Sequence, residues 1–181
     1  MEFKKTEFEG LIEIFPHILR DERGFFLETY RENIFKEHGV TENFLQDNLS
    51  FSKKNVVRGL HFQRHPFGQG KLVKVVSGKV LDVAVDCRPH SDTFGEHISI
   101  ILDAERQNMV YIPVGFAHGF SVLEDAVFSY KCTSVYDKAS EGGILWNTED
   151  LKIDWQVANP IISEKDLVYG NFSETDFSSF E

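Results

Sequence analysis

The chain has 181 residues, 41% of them hydrophobic, which suits one compact domain whose core can fold without disulfides or structural metal. Its formal net charge of -10 disfavours nucleic acid or an anionic membrane as a partner. No apolar stretch approaches the roughly 20 residues that span a bilayer, and residues 1–6 lack the apolar segment of a signal peptide. Cys87 and Cys132 form no CxxC pair and are expected to be buried thiols. We therefore expect a cytoplasmic protein with a single domain over residues 1–181.

The first part of the chain contains extended segments and one helix. Residues 10–14 and 25–29 are predicted to be extended, and a helix is predicted from about residue 31 to residue 38. Gly39 follows this helix at a position where helices often end in a left-handed residue. A further extended segment is predicted at residues 55–62.

Strand signals dominate the middle of the chain. Residues 72–76 and 80–85 are rich in β-branched side chains and flank Ser77-Gly78-Lys79, a pattern that predicts a hairpin. Short strands are predicted at residues 98–102, 109–112 and 126–132. Such spacing indicates an all-β sandwich or barrel. After residue 166 the chain is polar and acidic with scattered phenylalanines, which fits either a frayed tail or a strap across an interface.

Two segments contain the residues best suited to chemistry. They are Arg58-Gly59-Leu60-His61-Phe62-Gln63 with the nearby Gln69-Gly70-Lys71, and Pro113-Val114-Gly115-Phe116-Ala117-His118-Gly119-Phe120. The second segment resembles a signature of the cupin superfamily, small jelly-roll barrels that often bind a metal. Here Gln63 stands where a second histidine would be, and a cation, Lys71, stands near the place of the acidic ligand. A transition metal needs about three strong protein ligands, so neither a metal nor a cofactor is expected.

The first segment also concentrates positive charge in an acidic chain. Alternation along an extended strand puts Arg58 and Leu60 on one face, with Gly59 and His61 on the other. Basic groups gathered around His61, including Lys71, indicate a bound anion.

Motifs along most of the chain make a family resemblance specific. From about residue 3 to residue 167, the sequence resembles the dTDP-4-dehydrorhamnose 3,5-epimerases. Besides the segments around His61 and Lys71, the matching motifs are Asp21-Glu22-Arg23-Gly24-Phe25-Phe26, Gln46-Asp47-Asn48, Thr93-Phe94-Gly95, Tyr130-Lys131-Cys132-Thr133, Glu141-Gly142-Gly143-Ile144 and Ser163-Glu164-Lys165-Asp166.

The resemblance implies a fold and a reaction. The fold would be an all-β, cupin-like jelly-roll β-barrel with one or two short helices. The reaction would convert dTDP-4-dehydro-6-deoxy-D-glucose to dTDP-4-dehydro-L-rhamnose by epimerisation at C3 and C5 through enolates. By position, His61 resembles the catalytic base, Tyr130 the proton donor on the opposite face and Asp166 the carboxylate that orients the histidine. Lys71 would lie beside the carbonyl oxygen.

The resemblance also implies how the dTDP-4-keto-6-deoxy sugar is bound. The substrate-binding positions would be Arg23, Glu28, Gln46, Asp47, Asn48, Arg58, Lys71, His118, Glu141 and Lys165, with Tyr136 stacked on the thymine ring. It further implies a homodimer with exchanged N-terminal strands, in which Arg23 or Glu28 completes the pocket of the partner.

The sequence departs from the family pattern around Tyr136. Val135 and Lys138 replace a tyrosine and a proline that are common there, and Lys152 and Gln156 replace a glycine and a proline. These changes bear on loop shape and nucleotide preference.

The residue types suit proton transfer next to a ketone, and other functions remain open. Histidine has a pKa near neutrality, and a buried ammonium can stabilise an oxyanion. Within the same fold, an epimerase of one carbon or a keto-isomerase could act on a related sugar. A metal-dependent oxygenase of the cupin type is disfavoured by the missing ligands. A non-catalytic sugar-nucleotide-binding cupin would have no need for His61, Lys71, Tyr130 and Asp166 together.

Overall fold

The computed structural model describes residues 1–180, which form eleven strands, one α-helix and three short 3-10 helices. The strands are β1 Glu2–Lys5, β2 Ile12–Phe15, β3 Ile18–Asp21, β4 Gly24–Leu27, β5 Gln46–Ser52, β6 Val57–Gln63, β7 Lys71–Asp86, β8 His97–Asp103, β9 Met109–Ile112, β10 Phe116–Cys132 and β11 Glu141–Gly143. The α-helix, α1, is Glu32–Glu37, and the 3-10 helices are Glu164–Leu167, Phe172–Glu174 and Ser178–Phe180. The all-β prediction is confirmed.

Two long strands organise the sheet. The antiparallel strands β7 and β10 pair along most of their length, within the order β1-β2-β9-β7-β10-β6-β11. At one end of this pair β9 and β5 are the flanking strands, and at the other end β8 and β6 are. The short strands β3 and β4 form a separate two-stranded sheet.

The predicted hairpin at Ser77-Gly78-Lys79 is wrong, because β7 runs through these residues without reversing. Gly78 has φ 78°, and a Cβ there would lie 2.1 Å from the Asp125 carbonyl oxygen of β10. The pairing register also shifts at this place. A glycine inside a strand pattern can mark a bulge as readily as a turn. Here it marks the point at which β7 passes from pairing with β9 to pairing with β8.

The two halves of the sheet pack against each other. Val73 and Val75 from the first half of β7 share one buried cluster with Val80 and Ala84 from its second half. The alternate side chains of β7 face outward, as the pleat of a strand requires, and two further clusters cover them. The first of these outer clusters contains Leu72 together with Phe35 of α1.

The other outer cluster is covered by the C-terminal segment of the chain. Leu81 and Val83 of β7 pack there with Trp155 and with Phe177, which is 7% exposed. The interpretation of residues 167–180 as a frayed tail is therefore wrong, because this segment packs on the body of its own chain.

Most of the predicted elements are observed. The helix predicted at residues 31–38 is α1, and Gly39 beyond it has φ 99°. The strands predicted at residues 98–102 and 109–112 are β8 and β9. Both cysteines are buried and free, as expected. Within residues 1–180, no helix is long and apolar enough to cross a membrane.

Candidate active site

A cavity of about 340 Å³ opens between β6, β7 and β10, with the 3-10 helix Glu164–Leu167 at its side. It brings together most of the predicted site residues. Those that line it are Arg58, His61, Lys71, His118, Tyr130, Tyr136, Glu141, Lys165 and Asp166.

The backbone of β6 decides which of its side chains reach the cavity. Simple alternation put Arg58 and His61 on opposite faces, and this prediction is wrong because both side chains line the cavity. The register of β6 against β10 shifts between these residues, as at a β-bulge that adds one residue to a strand. Gly59 is required at the bulge, since it has φ 126° and a Cβ there would lie 2.5 Å from the Cα of Gly119.

A hydrogen bond joins His61 to Asp166. The distance from His61 Nε2 to Asp166 Oδ1 is 2.7 Å, and Asp166 is only 3% exposed. Burial pushes the pKa of Asp166 upward, but hydrogen bonds from His61 and from the Gly59 N–H outweigh it and hold the pKa below its usual range. Asp166 is thus an ionised acceptor, and His61 donates through Nε2. The other ring nitrogen, Nδ1, keeps a free lone pair with which it can accept a proton.

Lys71 is the buried cation of the cavity, with 8% of its surface exposed. Burial lowers its pKa, while the nearby Cys132 and the charge of Asp82 act in the opposite direction. An ammonium in such a place is poorly hydrated and interacts strongly with any negative charge that develops nearby.

A second histidine–carboxylate pair includes His118, which lines the cavity. His118 Nε2 lies 2.7 Å from Asp82 Oδ2, and both residues are buried. The charge of Asp82 also acts on Lys71, whose pKa it raises. This aspartate was not among the predicted residues. Alternation from Lys71 along β7 could have indicated its orientation, but only if the bulge at Gly78 had been recognised.

Tyr130 and Arg58 lie in neighbouring parts of the cavity wall. Burial and the nearby Cys132 thiol raise the pKa of Tyr130, whereas the positive charge of Arg58 opposes the rise. The phenol is therefore protonated at neutral pH and can act as a proton donor. The guanidinium of Arg58 is exposed and donates from Nε to Ser52 Oγ over 3.0 Å, so its other N–H groups remain available for an anion.

Glu141 connects the residues at the mouth of the cavity. The Tyr136 hydroxyl donates to Glu141 Oε2 over 3.0 Å, and the Lys165 ammonium donates to Glu141 Oε1. Tyr136 is 49% exposed, which leaves a face of its ring accessible to a planar ligand.

Five predicted residues do not line the cavity of their own chain. Arg23 pairs with Asp21, Glu28 with Arg31, and Asp47 with Lys131. Asn48 donates to Cys132 Sγ over 3.7 Å, and Gln46 donates to Asn48 Oδ1 over 3.0 Å.

Sequence reasoning missed several cavity residues. Gln63 was noted only as a missing metal ligand, and Gln69 only as a neighbour of Lys71, yet both are buried in the cavity wall. Ser50 and Ser163 also line it. Spacing by two from His61 could have indicated Gln63, but small hydroxyl side chains such as Ser50 give no comparable signal.

The donor set around the cavity does not suit a transition metal. The positive charge of Lys71 lies in the same cavity as His61 and His118 and would repel a metal ion there. No group of three or more His, Cys, Asp or Glu side chains in residues 1–180 is arranged to hold a metal ion.

A histidine held by a carboxylate, with a phenol in the same cavity, is typical of enzymes that move protons by general acid–base catalysis. Comparison with known proteins agrees with this class. The family model described as dTDP-4-dehydrorhamnose 3,5-epimerase matches residues 5–174. The chain therefore belongs to the dTDP-4-dehydrorhamnose 3,5-epimerase family, whose members are isomerases.

Individual relatives cover nearly the whole chain. A dTDP-4-dehydrorhamnose 3,5-epimerase from Shigella flexneri is 46% identical over 175 residues, which is 96% of this chain and 97% of that protein. One from Methanothermobacter thermautotrophicus is 49% identical over 168 residues, covering 91% and 90%. The crystal structure of a dTDP-6-deoxy-D-glucose-3,5-epimerase from Legionella pneumophila, in complex with dTDP-4-keto-L-rhamnose, superposes with a TM-score of 0.94 at 42% identity and covers 98% of this chain and 96% of that one. The cupin-like jelly-roll fold is thereby confirmed.

Proposed function

We propose that this protein is a dTDP-4-dehydrorhamnose 3,5-epimerase. It converts dTDP-4-dehydro-6-deoxy-D-glucose to dTDP-4-dehydro-L-rhamnose by inverting C3 and C5, and it needs no cofactor. The observation that carries the proposal is the single cavity in which the His61–Asp166 pair, Lys71 and Tyr130 meet. The relatives named for this reaction, and the Legionella pneumophila enzyme bound to dTDP-4-keto-L-rhamnose, support the same substrate.

The reaction begins with removal of a proton next to a ketone. The carbonyl at C4 acidifies the hydrogens on C3 and C5, because the carbanion that forms is delocalised onto oxygen as an enolate. Nδ1 of His61 takes the proton, while Asp166 holds the other ring nitrogen and stabilises the imidazolium. Lys71 stabilises the enolate oxygen, an interaction for which removal of one donor costs about 3–4 kcal/mol in comparable sites.

Inversion is completed by a proton delivered to the opposite face of the carbon. Tyr130 supplies this proton from its hydroxyl, and burial keeps that hydroxyl protonated until the enolate is in place. Before the second carbon reacts, His61 must lose its proton and Tyr130 must regain one. Exchange with solvent water restores both groups, so hydrogen from the solvent is incorporated at each inverted carbon.

Cationic side chains at the mouth of the cavity would hold the diphosphate. Arg58 has free N–H groups, and a guanidinium binds phosphate oxygens in a fork. Lys165 must exchange its carboxylate partner Glu141 for the diphosphate. Tyr136, at the same mouth, would stack on the thymine ring.

We further propose a homodimer in which the hairpin of β3 and β4 completes the site of the partner. This hairpin forms a sheet of its own and exposes apolar side chains, since Leu19 is 55%, Phe25 55% and Phe26 68% exposed. Exposed apolar surface of this kind favours association. Light scattering at micromolar concentration tests the proposal, and a monomeric wild-type protein contradicts it.

We also propose that residues 1–181 form a single domain and that the protein is cytoplasmic. The free, buried thiols of Cys87 and Cys132 suit a reducing compartment.

An assay with the keto sugar tests the proposed reaction. The protein is incubated with dTDP-4-dehydro-6-deoxy-D-glucose, and the product is reduced by a coupled dehydrogenase and analysed by NMR. A product inverted at both C3 and C5 supports the proposal, whereas inversion at one carbon identifies a single-site epimerase, and an unchanged sugar contradicts epimerase activity.

A further inference from the structure

The loop between β10 and β11, residues 133–140, carries Tyr136 over the mouth of the cavity without regular secondary structure. Three glutamine side chains hydrogen-bond to its backbone. Gln46 Oε1 accepts from the Tyr136 N–H over 2.8 Å, and Gln63 Oε1 accepts from the Asp137 N–H over 3.0 Å. Gln69 Nε2 donates to the Ser134 carbonyl over 2.8 Å.

The three glutamines come from separate parts of the fold. Gln46 is the first residue of β5, Gln63 is the last residue of β6, and Gln69 lies two residues before β7. Gln63 is 5% and Gln69 9% exposed, so water competes little for their hydrogen bonds. The loop backbone is therefore fixed from three sides at residues 134, 136 and 137.

We propose that Gln46, Gln63 and Gln69 are positioning residues that hold Tyr136 in the orientation that receives the nucleoside base. This inference rests on the proposed function, in which Tyr136 stacks on the base of the dTDP-sugar. It also changes the role expected of Gln46. Its amide already bonds to the Tyr136 N–H through Oε1 and to Asn48 Oδ1 through Nε2, which makes it a support for the loop rather than a direct contact of the substrate.

The effect on binding follows from the fraction of molecules whose loop is ready for the ligand. When a loop leaves its binding position, the apparent Kd rises in inverse proportion to the fraction that stays in place. Loss of one hydrogen bond costs about 1 kcal/mol, so the fraction in place falls, and the apparent Kd rises, by at most about fivefold. The reacting groups His61 and Tyr130 lie on strands outside the loop, so kcat is less affected than KM.

Substitution by methionine tests each glutamine, because methionine keeps the length of the side chain and removes the amide. Binding of dTDP is measured by titration calorimetry for Gln46→Met, Gln63→Met and Gln69→Met, and KM and kcat are measured with the keto sugar. Each variant should bind dTDP measurably more weakly than the wild type, by up to about fivefold. Gln107→Met is the matched control, since the Gln107 amide donates to the Ala104 carbonyl in the turn between β8 and β9 and does not line the cavity.

A double-mutant cycle separates positioning of Tyr136 from a general loss of structure. In a Tyr136→Ala background, the methionine substitutions should weaken dTDP binding no further, because the side chain that they position is absent. The proposal is overturned if the three variants bind dTDP as tightly as Gln107→Met, or if their effect persists in full without Tyr136. If thermal unfolding shows that a variant of the buried Gln63 or Gln69 does not fold, the half-buried Gln46→Met carries the same test.

The outcome for the glutamines is separable from the outcome for the proposed function. A wild-type protein that binds dTDP and does not epimerise the keto sugar contradicts the proposed function, while the dTDP affinities still decide the role of the glutamines. A protein that epimerises the sugar with unchanged dTDP affinity in all three variants overturns only the role of the glutamines. Absence of dTDP binding by the wild type contradicts both.

Discussion

Asp166 bonds at once to the imidazole of His61 and to the backbone that orients it. Its Oδ1 lies 2.7 Å from His61 Nε2, and its Oδ2 accepts the N–H of Gly59 over 3.3 Å. Gly59 is the residue of the β6 bulge that brings His61 to the cavity side of the strand. One carboxylate thus sets both the tautomer of the histidine and the local path of its strand.

Replacement of this carboxylate should impair the rate more than binding. In Asp166→Asn, an amide can no longer stabilise the imidazolium, so kcat should fall by roughly 10²–10⁴-fold, the range of general-base catalysis. The affinity for dTDP should stay close to that of the wild type, because Asp166 does not contact the nucleotide in the proposed binding mode. Steady-state kinetics and calorimetry check this. A variant that loses dTDP affinity and keeps its kcat would assign Asp166 to binding.

The same pair predicts a dependence of stability on pH. The pKa of Asp166 is lower in the folded state than the value of about 3.9 expected in the unfolded chain. The unfolded state therefore binds more protons in this range, and the stabilising contribution of Asp166 is present above that pH and is lost as the pH falls through the folded pKa. In thermal unfolding, the stability advantage of the wild type over Asp166→Asn should diminish as the pH falls below about 4.

Lys71 should limit stability while it supports activity. Burial lowers its pKa below the value of about 10.4 for the unfolded chain, so the unfolded state binds more protons between the two values. Lys71→Met should raise the Tm at neutral pH, and the gain should shrink as the pH rises through the folded pKa toward about 10.4. The same variant should lose about 10²–10³-fold in kcat, because the enolate oxygen lacks its cation. An inactive variant with an unchanged or lower Tm at neutral pH would refute the claim that the buried charge of Lys71 destabilises the folded protein.

Tyr130→Phe should separate deprotonation from inversion. The phenol is not needed for proton removal by His61, so exchange of the substrate hydrogens with solvent should continue while net inversion is strongly reduced. Exchange and inversion are followed together by NMR. Tyr30→Phe is the matched control, since Tyr30 packs against Phe35 and Phe44 in an outer cluster and does not line the cavity. Equal inversion by Tyr130→Phe and Tyr30→Phe would remove Tyr130 from the mechanism.

Activity should survive exhaustive treatment with EDTA. Lys71 would repel a divalent ion in the cavity that His61 and His118 line. Turnover is measured for the untreated protein and again after EDTA treatment, once the EDTA and the metals bound to it have been removed. Loss of activity that a divalent ion restores would overturn the interpretation of the donor set.

Local sequence patterns predicted the strands and the helix. They did not predict the two bulges, because a bulge depends on how a strand pairs with residues distant in the sequence. The β-branched segments on either side of Gly78 were identified correctly as strands, but a glycine in a bulge and a glycine in a turn have the same local signature. Only the pairing of β7 with β10 distinguishes the two. The bulge at Gly59 likewise reversed the faces assigned to His61 and Leu60, because strict alternation assumes an uninterrupted strand.

The sequence motifs identified the proposed catalytic residues better than the residues that hold the neighbouring loop. His61, Lys71, Tyr130 and Asp166 were expected together from the family resemblance, and all four line one cavity. The role of Gln69 could not be predicted, since its partner is a carbonyl group 65 residues further along the chain.

The distribution of deuterium in the product tests the central claim, that His61 removes protons from both C3 and C5. Wild-type protein is incubated with dTDP-4-dehydro-6-deoxy-D-glucose in deuterated water, and incorporation at each carbon is measured by NMR. His61→Ala is compared with His90→Ala, which changes an exposed histidine outside the cavity. We predict deuterium at both carbons with the wild type and with His90→Ala, and a rate at least 10²–10⁴-fold lower at both carbons with His61→Ala. Exchange at the wild-type rate in His61→Ala would contradict the assignment of the base.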